Sequence, residues 1–141
     1  DIGVEPEALT KQVLVLYARS DWETIVAPLI DHLYQNNIPA WVEQYLIPQS
    51  EEWRVALEQA RMECWMLVVV VSPAAMHQDH LMKIWRHFHN REKDVILLMA
   101  SPVERLPIGA NKSQKISYNP GTANASFAEI VRSIKALQNQ E

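Results

Sequence analysis

Residues 65–71 (WMLVVVV) are apolar without a break, and 68–71 are four consecutive valines. β-Branched residues at this density favour a strand. A strand with no polar alternate is covered on both faces, as in the middle of a parallel sheet. The run is too short to span a bilayer, which takes ~20 apolar residues. Ser72-Pro73 ends it, because proline has no amide hydrogen to give the ladder. Beyond it Leu81, Ile84, Trp85 and Phe88 recur at i, i+3, i+4 and i+7, the apolar stripe of one helix. Ligands of open α/β sheets sit outside the carboxyl ends of the strands. The loop 72–79 and the start of its helix are therefore expected to border any site.

The same pattern orders the rest of the chain. Residues 1–12 read as a polar, irregular entry linker, and 13–138 as the domain. Residues 13–18 (VLVLYA) predict a first strand as buried as the one at 65–71. Ser20 with Glu23 fits a capping box. The following helix buries Trp22, Ile25, Val26, Leu29, Ile30 and Leu33, with Pro28 expected to kink it. Asn36-Asn37 suit a left-handed stop. Residues 39–43 (PAWVE) predict a short edge strand, since proline opens it. After the loop 44–50 (QYLIPQS), Ser50 caps a helix whose first turn carries Glu51 and Glu52. Its inner face is Trp53, Ala56, Leu57 and Ala60. Residues 94–100 (DVILLMA) predict a fourth strand, 101–113 a loop and 115–118 (KISY) a brief fifth strand. Ser126 and Glu129 suggest a second capping box, and Phe127, Ile130, Val131, Ile134 and Leu137 the last stripe.

Strands alternating with helices, joined by right-handed crossovers, predict a five-stranded parallel sheet with helices on both faces. The first and third strands are the most apolar and should be neighbours. That is the 2-1-3-4-5 order of flavodoxin-like α/β folds.

Composition narrows the classes. A chain of 141 residues, 48% hydrophobic, is one ordinary domain and not a disordered segment. The net charge is −4 and no basic run carries interleaved aromatics, so nucleic acid is not an expected partner. Cys64 is the single cysteine. It excludes a disulfide framework, suggests a reducing, cytoplasmic setting, and reads as a small buried side chain. No signal peptide or membrane span is visible, and no membrane contact is expected of this domain. A chain opening on Asp1 is expected to be a piece of a longer polypeptide.

Motifs for familiar chemistries are missing. The three glycines, Gly3, Gly109 and Gly121, make no phosphate loop. Val71-Ser72 lacks the aspartate of a phosphoacceptor domain, and Ser72 lacks a nucleophile elbow. His77, His80, His87 and His89 cluster near Asp79. With Lys83 among them, His80 and His87 read as a solvated helix face, and no metal site is expected. The tryptophans read as packing.

Ordered blocks nonetheless run through the chain. Leu14-Val15-Leu16-Tyr17-Ala18-Arg19-Ser20-Asp21 is a strand closed by an acid. Trp41-Val42-Glu43 is a short strand ending in an acid, followed by a loop with Ile47-Pro48-Gln49-Ser50 and a helix opened by Trp53. A valine strand ends in Ser72-Pro73, and a helix carries Phe127 to Val131. In order and spacing, residues 13–137 resemble a Toll/interleukin receptor (TIR) domain, especially of the bacterial type. The resemblance implies a domain of signal transduction, in innate immunity or bacterial defence, whose members associate with one another, often through the loop after the second strand (the BB loop). Here that implies itself or other TIR domains as partners, with Tyr45, Leu46, Ile47, Pro48 and the helix 78–89 as the interface.

Many members also cleave NAD⁺ between nicotinamide and ribose. The ribosyl cation-like state needs a carboxylate beside it. By resemblance Arg19, Ser20, Trp53 and Ser72 would line the NAD⁺ pocket. The family's glutamate, however, falls on Ile84 and the tryptophan four residues before it on His80, while Trp85 agrees with the family. Asp79 and Glu43 are the substitutes to test, and Glu92 lies two turns on. The expectation is an assembly domain with no cofactor of its own and with NAD⁺ cleavage lost. The alternative is an NAD⁺ glycohydrolase using a non-standard acid, or a pocket that keeps NAD⁺ as a ligand.

Overall fold

The computed structural model describes residues 8–43 and 50–140. Five strands, β1 (Val13–Leu16), β2 (Ala40–Trp41), β3 (Met66–Val71), β4 (Asp94–Met99) and β5 (Gln114–Ser117), form one sheet in the order β2-β1-β3-β4-β5. Every pairing is parallel, with Val13 opposite Ala40 and Met66, Met66 opposite Asp94, and Ile96 opposite Gln114. The expected topology is the observed one.

Strand alternation sends successive side chains to opposite faces. Val13 and Val15 of β1 and Met66, Val68 and Val70 of β3 pack against α1 (Ala27–Gln35) and the C-terminal helix (Ala123–Gln138). Leu14, Leu16, Leu67, Val69 and Val71 pack on the other face, against α2 (Glu51–Glu63) and the stripe helix (Asp79–Asn90). β3 is buried at all its positions. Burial of each such Val or Leu stabilises the fold by roughly 1.5–3 kcal/mol.

Departures from the expected elements have local causes. No capping box forms at Ser20. The chain already turns at Arg19–Asp21 as a 3-10 helix, with Asp21 N–H donating to Ala18 O at 2.8 Å, so Ser20 lies inside the turn. A π-helical turn, Trp22–Val26, follows. That turn runs directly into α1, since Val26 and Ala27 keep right-handed helical angles, so Pro28 lies inside a continuous helical run, just past the junction of its π and α parts. Asn37 has the left-handed φ of 62° expected of a helix stop. Leu9–Lys11 forms a 3-10 turn and Leu9 packs against the α2 side, so the entry segment is not wholly irregular.

Within the expected loop 72–79 stands a one-turn helix, α3 (Pro73–Met76), capped by Ser72 Oγ, which accepts from Ala75 N–H at 3.2 Å. The stripe helix is then α4, and it buries Leu81, Ile84, Trp85 and Phe88 as the periodicity predicts. The C-terminal helix, α5, opens at Ala123, four residues earlier than a Ser126 cap requires. Ser126 is buried inside it, and its hydroxyl donates to Ser117 O at 2.9 Å. No helix among the described residues is long and apolar enough to cross a membrane.

Candidate functional site

The carboxyl ends of β1, β2 and β3 meet the loops that the sequence marked out. Two groups of side chains stand there. In the first, the hydroxyl of buried Ser72, at the end of β3, donates to Asp21 Oδ2 at 2.7 Å. This ties the β3 exit to the turn after β1. Arg19 and Ser20 lie on that same turn, exposed. Ser72 is held as a bonded cap, which suits positioning and not nucleophilic attack.

The second group gathers at the end of β2. Glu43 is 7% exposed, an uncommon burial for a carboxylate. Its Oε2 accepts from the indole N–H of Trp53 at 2.7 Å. Its Oε1 lies 3.9 Å from His80 Nε2. Trp53, in the first turn of α2, meets the His80 ring edge-on with centroids 5.4 Å apart. Its backbone N–H donates to Ser50 Oγ at 3.0 Å, so the expected cap of α2 is present. The bonded indole and the opposing ring explain how a carboxylate is tolerated there.

Of the residues marked from sequence, the fold brings together Glu43 and Trp53, and separately Ser20, Arg19 and Ser72 around Asp21. Asp79 is exposed in the first turn of α4. Tyr45, Leu46, Ile47 and Pro48 lie outside the described residues. Ile84 is 3% exposed and belongs to the apolar layer that includes Trp53, Leu57, Leu81 and Trp85. It forms part of the floor of a groove between α2 and α4, also lined by Arg54, Glu58, Arg61 and Lys83.

The histidine face needs correction. His80 and His87 are half-buried and reach toward α2, while Lys83 and Arg86 between them are exposed. Arg61 donates to His87 Nδ1 at 2.6 Å, which requires a neutral ring at that nitrogen. Burial, then the cations Arg61, Arg91 and Lys93, hold His87 below the ordinary imidazole range, partly opposed by Glu58. His80 was discoverable in the sequence: it lies four residues before Ile84 and so shares its helix face. Asp21 as the partner of Ser72 had no such signal, since the two are 51 positions apart. Cys64 is fully buried, and that burial pushes its thiol up to about 12, which removes it as a nucleophile. Among the described residues no three metal-ligating groups converge.

Comparison with known proteins places the pattern. The sequence model of the TIR domain matches residues 13–131. Among solved structures, the TIR domain of the Toll-related receptor TRR-2 from Hydra magnipapillata has a TM-score of 0.69, covering 87% of this chain and 97% of that one. The two are 18% identical, so the likeness carries the fold alone. No curated protein sequence matches the chain.

Proposed function

The chain belongs to the TIR domain family, and from that premise we propose that it is a bacterial-type signalling and assembly module that associates with itself or with other TIR domains, without cleaving NAD⁺. The observation that carries the reading is Ile84. The resemblance puts the family's glutamate there, and the side chain is a hydrocarbon buried in the same apolar layer as Trp53 and Leu57. Cleaving the nicotinamide–ribose bond develops positive charge on the sugar, and an isoleucine offers it no oxygen. Loss of a central catalytic group typically costs several powers of ten in rate.

The association surfaces in this reading are Tyr45–Pro48 and the outer face of α4, in a cytoplasmic setting. Sedimentation across a concentration series tests it. Association that rises with concentration and is lost in Leu46→Asp supports it, whereas a strict monomer at high concentration contradicts it.

A second reading keeps the enzyme. Glu43 supports it, being a carboxylate at the sheet's carboxyl edge beside a histidine. Its other oxygen is engaged by Trp53, which suits an anchored group better than one awaiting a ribose. Nicotinamide release that vanishes in Glu43→Gln would favour the enzyme.

A further inference from the structure

His80 Nε2 is buried and has no hydrogen-bond partner among the described residues. A polar atom left so is unusual in a protein interior and calls for a physical account. The atom it faces is known: Glu43 Oε1, at 3.9 Å. That is too long for a hydrogen bond and about 1 Å from one. We infer that Glu43 and His80 form a protonation-dependent tie that joins the end of β2 to the head of α4.

The chemistry is a single proton transfer from solvent. An imidazole changes charge between about pH 5 and 8. A neutral His80 ring carries its one N–H on either nitrogen, and with it on Nδ1 the Nε2 lone pair faces the Glu43 oxygen as acceptor against acceptor and the two stay apart. The imidazolium carries a proton on both nitrogens, so an N–H always faces the carboxylate and a charge-assisted bond closes. The surroundings favour this partner over others. From α2 the ring meets Trp53, and Glu51 and Arg54, which line the same groove, pair with each other. From α4 itself come Asp79, next in sequence, and Lys83, one turn on. Lys83 and the positive start of α4 oppose a charged ring. Asp79 and Glu43 offset them, and Glu43 is the one at 3.9 Å. Between Glu43 and Ser50 the sequence holds Gln44, Tyr45, Leu46, Ile47, Pro48 and Gln49. None of these titrates between about pH 5 and 8.

Trp53 reports the state of the tie, because it bonds Glu43 and touches His80. The consequence for assembly rests on the reading proposed above. Fixing the end of β2 against α4 before contact lowers the ordering cost of association. Association is then tighter in acid.

The test follows the Trp53 indole N–H by NMR from pH 5 to 8, with Trp53→Phe to assign it. The resonance is expected to move with pH in the native chain and to stay fixed in His80→Gln and in Glu43→Gln. A static resonance, or one that moves equally in His80→Gln, overturns the tie. A cycle of the two variants in urea adds a reading of strength. The coupling in the folding equilibrium should be about tenfold at pH 6 and near onefold at pH 8, and equal coupling at both overturns the tie. Sedimentation at the same two pH values separates the assembly step: tightening in acid that His80→Gln abolishes supports it, and equal tightening in His80→Gln overturns it. A chain monomeric at both contradicts the assembly reading, while the resonance still decides the tie.

Discussion

The indole N–H of Trp53 donates to the buried carboxylate of Glu43 at 2.7 Å. The backbone N–H of the same tryptophan donates to Ser50 at 3.0 Å. One residue therefore holds both flanks of the stretch 44–49, the first through its indole N–H on a buried carboxyl oxygen and the second through a helix cap.

Trp53→Phe keeps an aromatic ring against Leu57 and His80 but removes the donor. Glu43 is then left buried with an oxygen that has lost its bond. The expected loss is about 1.5–3 kcal/mol, read from urea unfolding. A loss below about 0.5 kcal/mol, the level of an ordinary surface change, contradicts the anchoring role given to the pair.

Ile84→Ala measures how deeply that position belongs to the core. At 3% exposure the truncation should cost about 2–5 kcal/mol. Asp79→Ala, on the exposed first turn of α4, should stay within about 0.5 kcal/mol. Comparable small effects at both positions would mean that residue 84 faces the groove and not the layer beneath it.

His87 sets a pH dependence whose sign is fixed by its neighbours. Burial and the Arg61, Arg91 and Lys93 cations lower its proton affinity in the folded chain. The unfolded chain takes up that proton near pH ~6.5. Below this the unfolded state binds more protons, so stability falls with acidification, and the contribution is fully present above it. His87→Gln, which still offers Arg61 an acceptor, should lose less stability between pH 8 and 5 than the native chain. Matching slopes in urea midpoints would remove His87 from the account.

Gly109 has φ +93°, and a Cβ there would fall 2.6 Å from the His89 ring. That ring stacks on buried Trp85 with centroids 4.8 Å apart. His89 has little freedom to retreat. Gly109→Ala combines a left-handed backbone with this contact and should destabilise by about 1–3 kcal/mol, seen as a lower Tm. An unchanged Tm contradicts the contact.

The sequence carried the sheet because its signals are local and redundant. The valine run, the stripe at Leu81, Ile84, Trp85 and Phe88, and the proline before β2 each argue from neighbours a few residues apart. The helix starts failed for a related reason. Ser20-x-x-Glu23 and Ser126-x-x-Glu129 satisfy a four-residue rule, yet the chain turns earlier in both places and spends Ser126 on Ser117 across the layer. The site was legible in its members and not in its wiring. Glu43 and Trp53 could be singled out one by one, but their bond depends on how α2 leans on the end of β2. His80 could be placed on Ile84's face only by giving phase precedence over the polar character of its neighbours. The pairing of Asp21 with Ser72 is a product of β1 lying beside β3.

The central claim is that a buried hydrocarbon at residue 84 leaves this TIR domain without the carboxylate that nicotinamide release needs. The direct measurement is prolonged incubation of the purified chain with NAD⁺, followed by chromatography for nicotinamide. The account predicts no release above a protein-free control. Steady release that disappears in Glu43→Gln or Asp79→Asn would contradict it and make the domain an enzyme with a relocated acid.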